Sequence, residues 1–250
     1  MDGPTIYDWW LPIIIAPMIG SFLGVVILRL PEGRAIGMAR SACDSCGRTL
    51  SARDLVPFLS YLVARGKCRF CGASIGRFHW LVELAALAVA LWSVSLDSGA
   101  RLWADCLLGW ALLALAWIDA DHMILPDALT LPLILAGLAA AWLFDPDNLT
   151  GHAAGAAAGY LLLRLVEILY RRWRGRDGLG QGDAKLFAAA GAWVGWWGLG
   201  DVLLIGAVAG IAVALAGALR GGSLAAHHAI PFGPCLALGT WLVWLYGPVL

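Results

Sequence analysis

Apolar stretches long enough to cross a bilayer recur along most of this chain, and that property excludes most folds. They lie at about 10–28, 80–96, 102–118, 128–144, 151–170, 184–199, 202–219 and 232–249. A helix needs roughly 17–25 residues to span the hydrocarbon. The runs are continuously apolar rather than alternating, which selects helices over a barrel. Charge is correspondingly scarce, at 14% of residues against roughly 25% in soluble domains. The reading is an all-α polytopic membrane protein of about eight transmembrane helices, with the lipid bilayer as its solvent. A formal net charge of zero and the lack of a basic domain give no sign of nucleic-acid binding.

Charge also sets the orientation. The chain starts with Asp2 and Asp8 and has no Lys or Arg before Arg29, so 10–28 reads as a retained span rather than a cleaved signal. Nine of the 17 Lys and Arg fall between Arg29 and Arg77, and four more between Arg171 and Arg176. The positive-inside rule puts both stretches in the cytoplasm and the N-terminus outside. By parity 119–127 and 220–231 are inside too, while the turns near Asp97, Asp145–Asp147 and Asp201 are outside. Three parts result: 1–29 as the first span, 30–79 as a cytoplasmic loop domain, and 80–250 as the membrane core.

The loop carries Cys43-Asp44-Ser45-Cys46 and Cys68-Arg69-Phe70-Cys71. Each knuckle lets two sulfurs from one tight turn reach the same ion, and the second pair closes a tetrahedron of the kind zinc adopts. Four sulfur ligands leave no open position, so the expected role of Zn2+ is structural: a loop of this size has little core of its own. A reducing cytoplasm disfavours the alternative of two disulfides. Cys106 and Cys235 lie in apolar spans and read as packing residues.

The acids are the remaining signal. Asp119 closes an apolar helix in Trp117-Ile118-Asp119-Ala120-Asp121, and Asp183 follows two glycines in Gly180-Gln181-Gly182-Asp183 and opens another apolar segment. Both fall at an inner membrane boundary. Gly180 and Gly182 permit a sharp turn and close approach; with Lys185 and Asp127 they are expected to support the pair. Asp127 after Pro126 also reads as a helix N-cap. Asp121 and His122 read as solvated turn residues. Glu83, near the inner end of the second span, reads either as a partner for a loop arginine or as a site contact. Arg164 and Glu167 share a helical face and are expected to pair. Gly20-Ser21-Phe22-Leu23-Gly24 reads as a close helix-packing surface.

Two neighbouring carboxyls share one proton, because both cannot readily be ionised together. That state suits peptide hydrolysis, with the charged acid drawing a proton from water and the neutral acid polarising the scissile carbonyl. Helix dipoles favour charge on Asp183, at a helix start, and the proton on Asp119, at a helix end.

These motifs, in this order, resemble the bacterial type IV prepilin peptidases, membrane aspartic proteases of the Gly-x-Gly-Asp type. The likeness runs through Gly20-Ser21-Phe22-Leu23, Arg29-Leu30-Pro31, both knuckles, Asp54-Leu55-Val56-Pro57, Ser60-Tyr61-Leu62 and Arg65-Gly66-Lys67-Cys68-Arg69. It continues in Leu125-Pro126-Asp127, Gly180-Gln181-Gly182-Asp183-Ala184-Lys185-Leu186 and Ile230-Pro231-Phe232-Gly233-Pro234. The gap of 64 from Asp119 to Asp183 fits the family's catalytic pair and selects Asp119 over Asp121 and Asp127. The resemblance implies cleavage of the basic leader of prepilins and pseudopilins (the subunits of type IV pili and type II secretion) at the cytoplasmic face of the inner membrane. The N-terminus would be periplasmic. It implies, in addition, methylation of the new amino terminus with S-adenosylmethionine, although no glycine-rich cofactor loop is visible. The chain departs from the family pattern at Gly24, Asp44, Asp177, Leu179 and Cys235, none of them in the acid pair or the four cysteines.

Three other classes compete. An ion-coupled transporter would place acids near the midplane and show inverted repeats, which the span pattern lacks. A membrane methyltransferase with structural acids and a zinc-anchored scaffold both make Asp119 and Asp183 dispensable for cleavage.

Overall fold

The computed structural model describes residues 6–36, 41–43, 45–51, 54, 56–175, 180–219 and 231–248. Asp2, Asp44, Leu55, Arg176, Asp177, Leu179 and the stretch 220–230, including Ile230, lie outside the described residues. The elements are α1 (Ile6–Arg29), α2 (Leu59–Val63), α3 (Phe78–Val94), α4 (Gly99–His122), α5 (Asp127–Phe144), α6 (Leu149–Arg174), α7 (Gln181–Leu219) and α8 (Gly233–Tyr246). Among the described residues there is no strand, only the isolated bridges Ala42–Thr49 and Lys67–Ser74.

Among the described residues five helices (α1, α4, α5, α6 and α7) are long and apolar enough to cross a membrane, and α3 and α8 are shorter apolar helices. Large apolar side chains such as Leu135, Trp142, Leu161 and Ile211 point outward. A water-soluble surface would not carry so many. The chain is a multi-pass helical membrane protein.

The sixth and seventh expected spans correct the sequence reading. The expected spans 184–199 and 202–219 are one continuous element, broken at Gly195, whose φ of 74° and ψ of 174° leave the helical region. Counting both arms of α7 gives eight apolar segments. Only glycine adopts that backbone readily, and the Trp197 ring fills the place a side chain would need, 2.5 Å from an ideal Cβ. His152 braces the break: its Nδ1–H donates to the Ala192 carbonyl at 3.0 Å, and its ring meets Trp197 edge-on. Asp201, expected in an outer turn, is helical and 3% exposed.

The chain divides into two compact units, Met1–Ala114 and Leu115–Leu250. In the first, α1 packs on α3. Gly20 meets the Glu83 backbone there, as its small size predicts. Trp110 of α4 donates its indole N–H to the Ala86 carbonyl of α3 at 3.0 Å. In the second unit α7 is the hub, packed on α5, α6 and α8. Small residues set the α6–α7 distance: a Cβ at Gly191 would lie 2.2 Å from the Gly155 carbonyl oxygen. Trp193, buried in α7, donates to the Leu133 carbonyl at 2.9 Å and stacks edge-on against Trp244 of α8.

Candidate active site

Within the second unit, three element ends converge on two acids. Asp119 lies in the last turn of α4, which continues to His122 rather than stopping at residue 118. Asp183 lies in the first turn of α7. They are only 6% and 9% exposed, and the charge of Asp119 acts directly on Asp183. Each carboxylate accepts one backbone N–H at its Oδ2: Asp183 from Gly180 at 3.1 Å, and Asp119 from Gly233 at 2.9 Å. The Gly180 bond is the half of a capping box in which an acid reaches back to the amide that precedes its helix. Asp183 therefore caps its own helix while lying within the field of Asp119.

The Gly233 bond alters the expected electrostatics. Asp119 sits at the C-terminal end of α4 but also before the N-terminus of α8, so two helix dipoles oppose one another there. The sequence argument weighed α4 alone. The asymmetry it predicted between the acids is offset by α8, a partner distant in sequence.

The supporting residues gain specific tasks. A Cβ at Gly182 would lie 2.8 Å from Leu125 Cβ, so this glycine is where the turn between α4 and α5 packs against α7. Asp127 does not cap α5: Pro126 holds the N-cap position, and Asp127 pairs with the Lys185 ammonium on α7. These two contacts join the segment after Asp119 to the segment around Asp183. Asp121 and His122 are exposed, as expected, but they close α4 rather than lie in a turn. Leu125 and Gly233 stood in the sequence only as members of the family motifs Leu125-Pro126-Asp127 and Ile230-Pro231-Phe232-Gly233-Pro234, with no role of their own. Cys235 is buried, as expected, yet it lies within the field of Asp119.

The first unit holds the cysteines. All four Sγ atoms lie within 4.8 Å of one another, and those of Cys43 and Cys71 are 3.9 Å apart. Four thiolates around one zinc, at bonds of about 2.3 Å, would be separated by about 3.8 Å, so the set has the right dimensions to hold one ion. The two knuckles repeat one hydrogen-bond pattern: Gly47 and Gly72 N–H donate to the carbonyls of Cys43 and Cys68, while Cys43 and Cys68 N–H donate to those of Arg48 and Ala73. The N–H groups of Cys71 and Phe70 pull the Cys68 thiol down to about 7. Asp54 braces the loop from the side; the Ser51 hydroxyl and amide, with Arg69, hold its carboxyl below the usual range.

Glu83 resolves to neither expected role. It accepts the Phe58 N–H at 3.0 Å and a hydrogen bond from Ser21, and so ties the loop to α1 and α3. Glu167, 1% exposed, pairs with Arg164 as expected and also with Arg171, one turn further along α6.

A multi-pass helical protein that buries two carboxyls at the ends of separate helices, one within the field of the other, has the arrangement expected of a membrane aspartic protease. Comparison with known proteins carries this further. Residues 14–96 match the Bacterial Peptidase A24 N-terminal domain, and residues 106–215 match the Type IV leader peptidase family. A prepilin leader peptidase/N-methyltransferase of Burkholderia pseudomallei (strain 1026b) is 40% identical over 271 residues, covering 98% of this chain and 87% of that protein. Proteins of the same description from Aeromonas hydrophila and Pseudomonas aeruginosa are 40% and 37% identical, covering 92% and 94% of this chain and 88% and 89% of their own lengths. No solved structure matches the chain significantly. The chain belongs to the type IV leader peptidase family.

Proposed function

We propose that this protein is an aspartic endopeptidase of the bacterial inner membrane that removes the leader of prepilins and pseudopilins, with Asp119 and Asp183 as its catalytic acids. The observation that carries this reading is the burial, in one unit, of two carboxyls near enough for the charge of Asp119 to act on Asp183, each held by one backbone amide. In the reaction the ionised acid takes a proton from water as the water oxygen bonds to the scissile carbonyl carbon. The neutral acid gives its proton to the carbonyl oxygen. As the tetrahedral intermediate collapses, one of its hydroxyls returns a proton to the second acid, the C–N bond breaks, and the proton first taken from water passes to the departing amine. Gly180, Gly182, Lys185 and Asp127 support the pair through the contacts described above. The substrate's apolar helix would lie in the bilayer, and its basic leader would meet the acids at the cytoplasmic face. The basic residues of the loop and of the α6 end favour that side under the positive-inside rule.

Zn2+ held by Cys43, Cys46, Cys68 and Cys71 would fix the loop; four thiolates leave no position for a reacting group. The relatives' description adds N-methylation, and we extend it to this chain with S-adenosylmethionine as donor. Bound, that molecule would supply the methyl group for the new amino terminus. A cavity of about 240 Å³ lined by Met18, Ser21, Phe22, Val25, Ser41 and Pro57 falls below the roughly 300–1,000 Å³ of small-molecule sites. It also offers no charged side chain, so it does not fit the donor, and no residue is assigned to methyl transfer.

The test is cleavage of a purified prepilin in detergent by Asp119→Asn and Asp183→Asn proteins. Each is expected to lose about 10²–10⁴-fold in kcat, with helical content and thermal midpoint retained. Substantial cleavage by either variant would sink the two-acid reading and return the field to a scaffold or a methyltransferase.

A further inference from the structure

We infer that Gly233 is a positioning residue of the cleavage reaction: its N–H, the first of α8, holds Oδ2 of Asp119 and leaves Oδ1 as the oxygen that exchanges the proton. The inference rests on the peptidase reading above and adds a third element to the site.

The start of α8 is arranged around a single donor. Cys235 and Leu236 both direct their N–H groups to the Phe232 carbonyl at 3.0 Å. Pro234 has no N–H to give. The Gly233 N–H alone among these four positions goes to the acid, at 2.9 Å in a buried setting. A carboxyl oxygen that accepts an N–H presents its lone pair there, so the acidic hydrogen belongs on the other oxygen. Asp183 is held the same way, by Gly180 on its Oδ2. Among the described residues each acid is thus held by one amide, at Oδ2, with Oδ1 left for chemistry.

Space makes the same point. An ideal Cβ at Gly233 would lie 2.7 Å from Oδ2, 2.9 Å from Cγ and 3.1 Å from Cβ of Asp119. The side chain it meets is the buried acid itself. The same helix has a second tight point, where a Cβ at Gly239 would lie 2.5 Å from the Val202 carbonyl oxygen of α7. Any side chain at 233 therefore displaces the carboxylate. Among the described residues the charge of Asp119 acts on two ionisable groups, Asp183 from α7 and the Cys235 thiol from α8. Neither supplies the donor that Gly233 does.

Gly239 provides the matched control: a crowded glycine on the same helix, away from the acids. Gly233→Ala is expected to lower kcat for prepilin cleavage about 100-fold, the order associated with a misplacement of about 1 Å, with KM within about twofold and a pH–rate curve of altered shape. Gly239→Ala is expected to lower the thermal midpoint while keeping kcat per folded molecule and the shape of that curve. Replacing residue 233 by glycolic acid, which swaps the N–H for an ester oxygen and adds no side chain, should reproduce the kcat loss without crowding. Wild-type kcat and pH profile in Gly233→Ala would overturn the proposal. So would equal losses in the 233 and 239 alanine variants in proportion to their lost stability, or an ester protein with undiminished kcat. Asp119→Asn run beside them separates the two levels: if that variant cleaves, the peptidase reading fails first.

Discussion

Gly182→Ala adds one methyl group where the turn after α4 meets α7. The new carbon would sit 2.8 Å from Leu125 Cβ and 3.4 Å from its Cγ and Cδ1. Carbon contacts settle near 3.5–4.0 Å, so one partner must give by about 0.7 Å. Leu125 is buried and followed directly by Pro126 and Asp127, the latter paired with Lys185. The strain therefore passes into the first turn of α7, which carries Asp183. Overpacking of this kind costs about 1–3 kcal/mol of stability. A shift approaching 1 Å between reacting groups costs up to about 100-fold in rate, so a loss of about 10- to 100-fold in kcat is expected, with KM little changed. The assay is single-turnover cleavage of a prepilin in detergent, with the thermal midpoint measured in parallel. In combination with Leu125→Ala, whose smaller side chain can yield, the two losses should be non-additive, with a coupling of about 0.5–3 kcal/mol. A Gly182→Ala enzyme with parental kcat, or strict additivity in the cycle, would refute the claim that this contact sets the spacing of the acids.

Other outcomes follow from the same geometry. Chelation of the metal, or Cys43→Ser, should open the 41–76 loop to added protease while the melting of the spans is unchanged; metal analysis of the untreated protein should find one zinc per chain. Glu167→Ala should destabilise the protein by about 1–2 kcal/mol, less than the roughly 3–5 of a fully buried pair, because Arg164 and Arg171 are 31% and 51% exposed and can turn to solvent. Gly155→Ala should cost about 1–3 kcal/mol by overpacking α6 on α7, read as a lower thermal midpoint with kcat per folded molecule retained. Lys185→Met should reduce kcat less than tenfold, since partly exposed ion pairs contribute about 0–1 kcal/mol.

How much of this was legible in the chain varied by kind of signal. The apolar runs gave the helical membrane class, because an unsatisfied peptide group in lipid leaves few alternatives. The knuckles gave the metal set, since two ligands in each tight turn are fixed by local geometry. The acids were found from their places at helix ends, and Asp119 was chosen over its neighbours only through family spacing. Hidden from view were contacts whose partners lie far apart along the chain. The break at Gly195 was one: an apolar run with a glycine inside looks like two spans or one until the Trp197 ring and His152 are placed. Asp127 was another, because Pro-Asp at a helix start looks like a cap unless Lys185 is known to lie opposite.

The sequence by itself determined the membrane class and the cluster of four sulfurs, and it supplied the two acids and the orientation that we propose. All of these depend on residue type and short spacing. Only tertiary structure decided what holds the acids in place: Leu125 against Gly182, Lys185 against Asp127, and the Gly233 amide on Asp119. Each is a contact between segments that local propensity treats independently. Its strength depends on a few tenths of an ångström, which no periodicity or composition encodes.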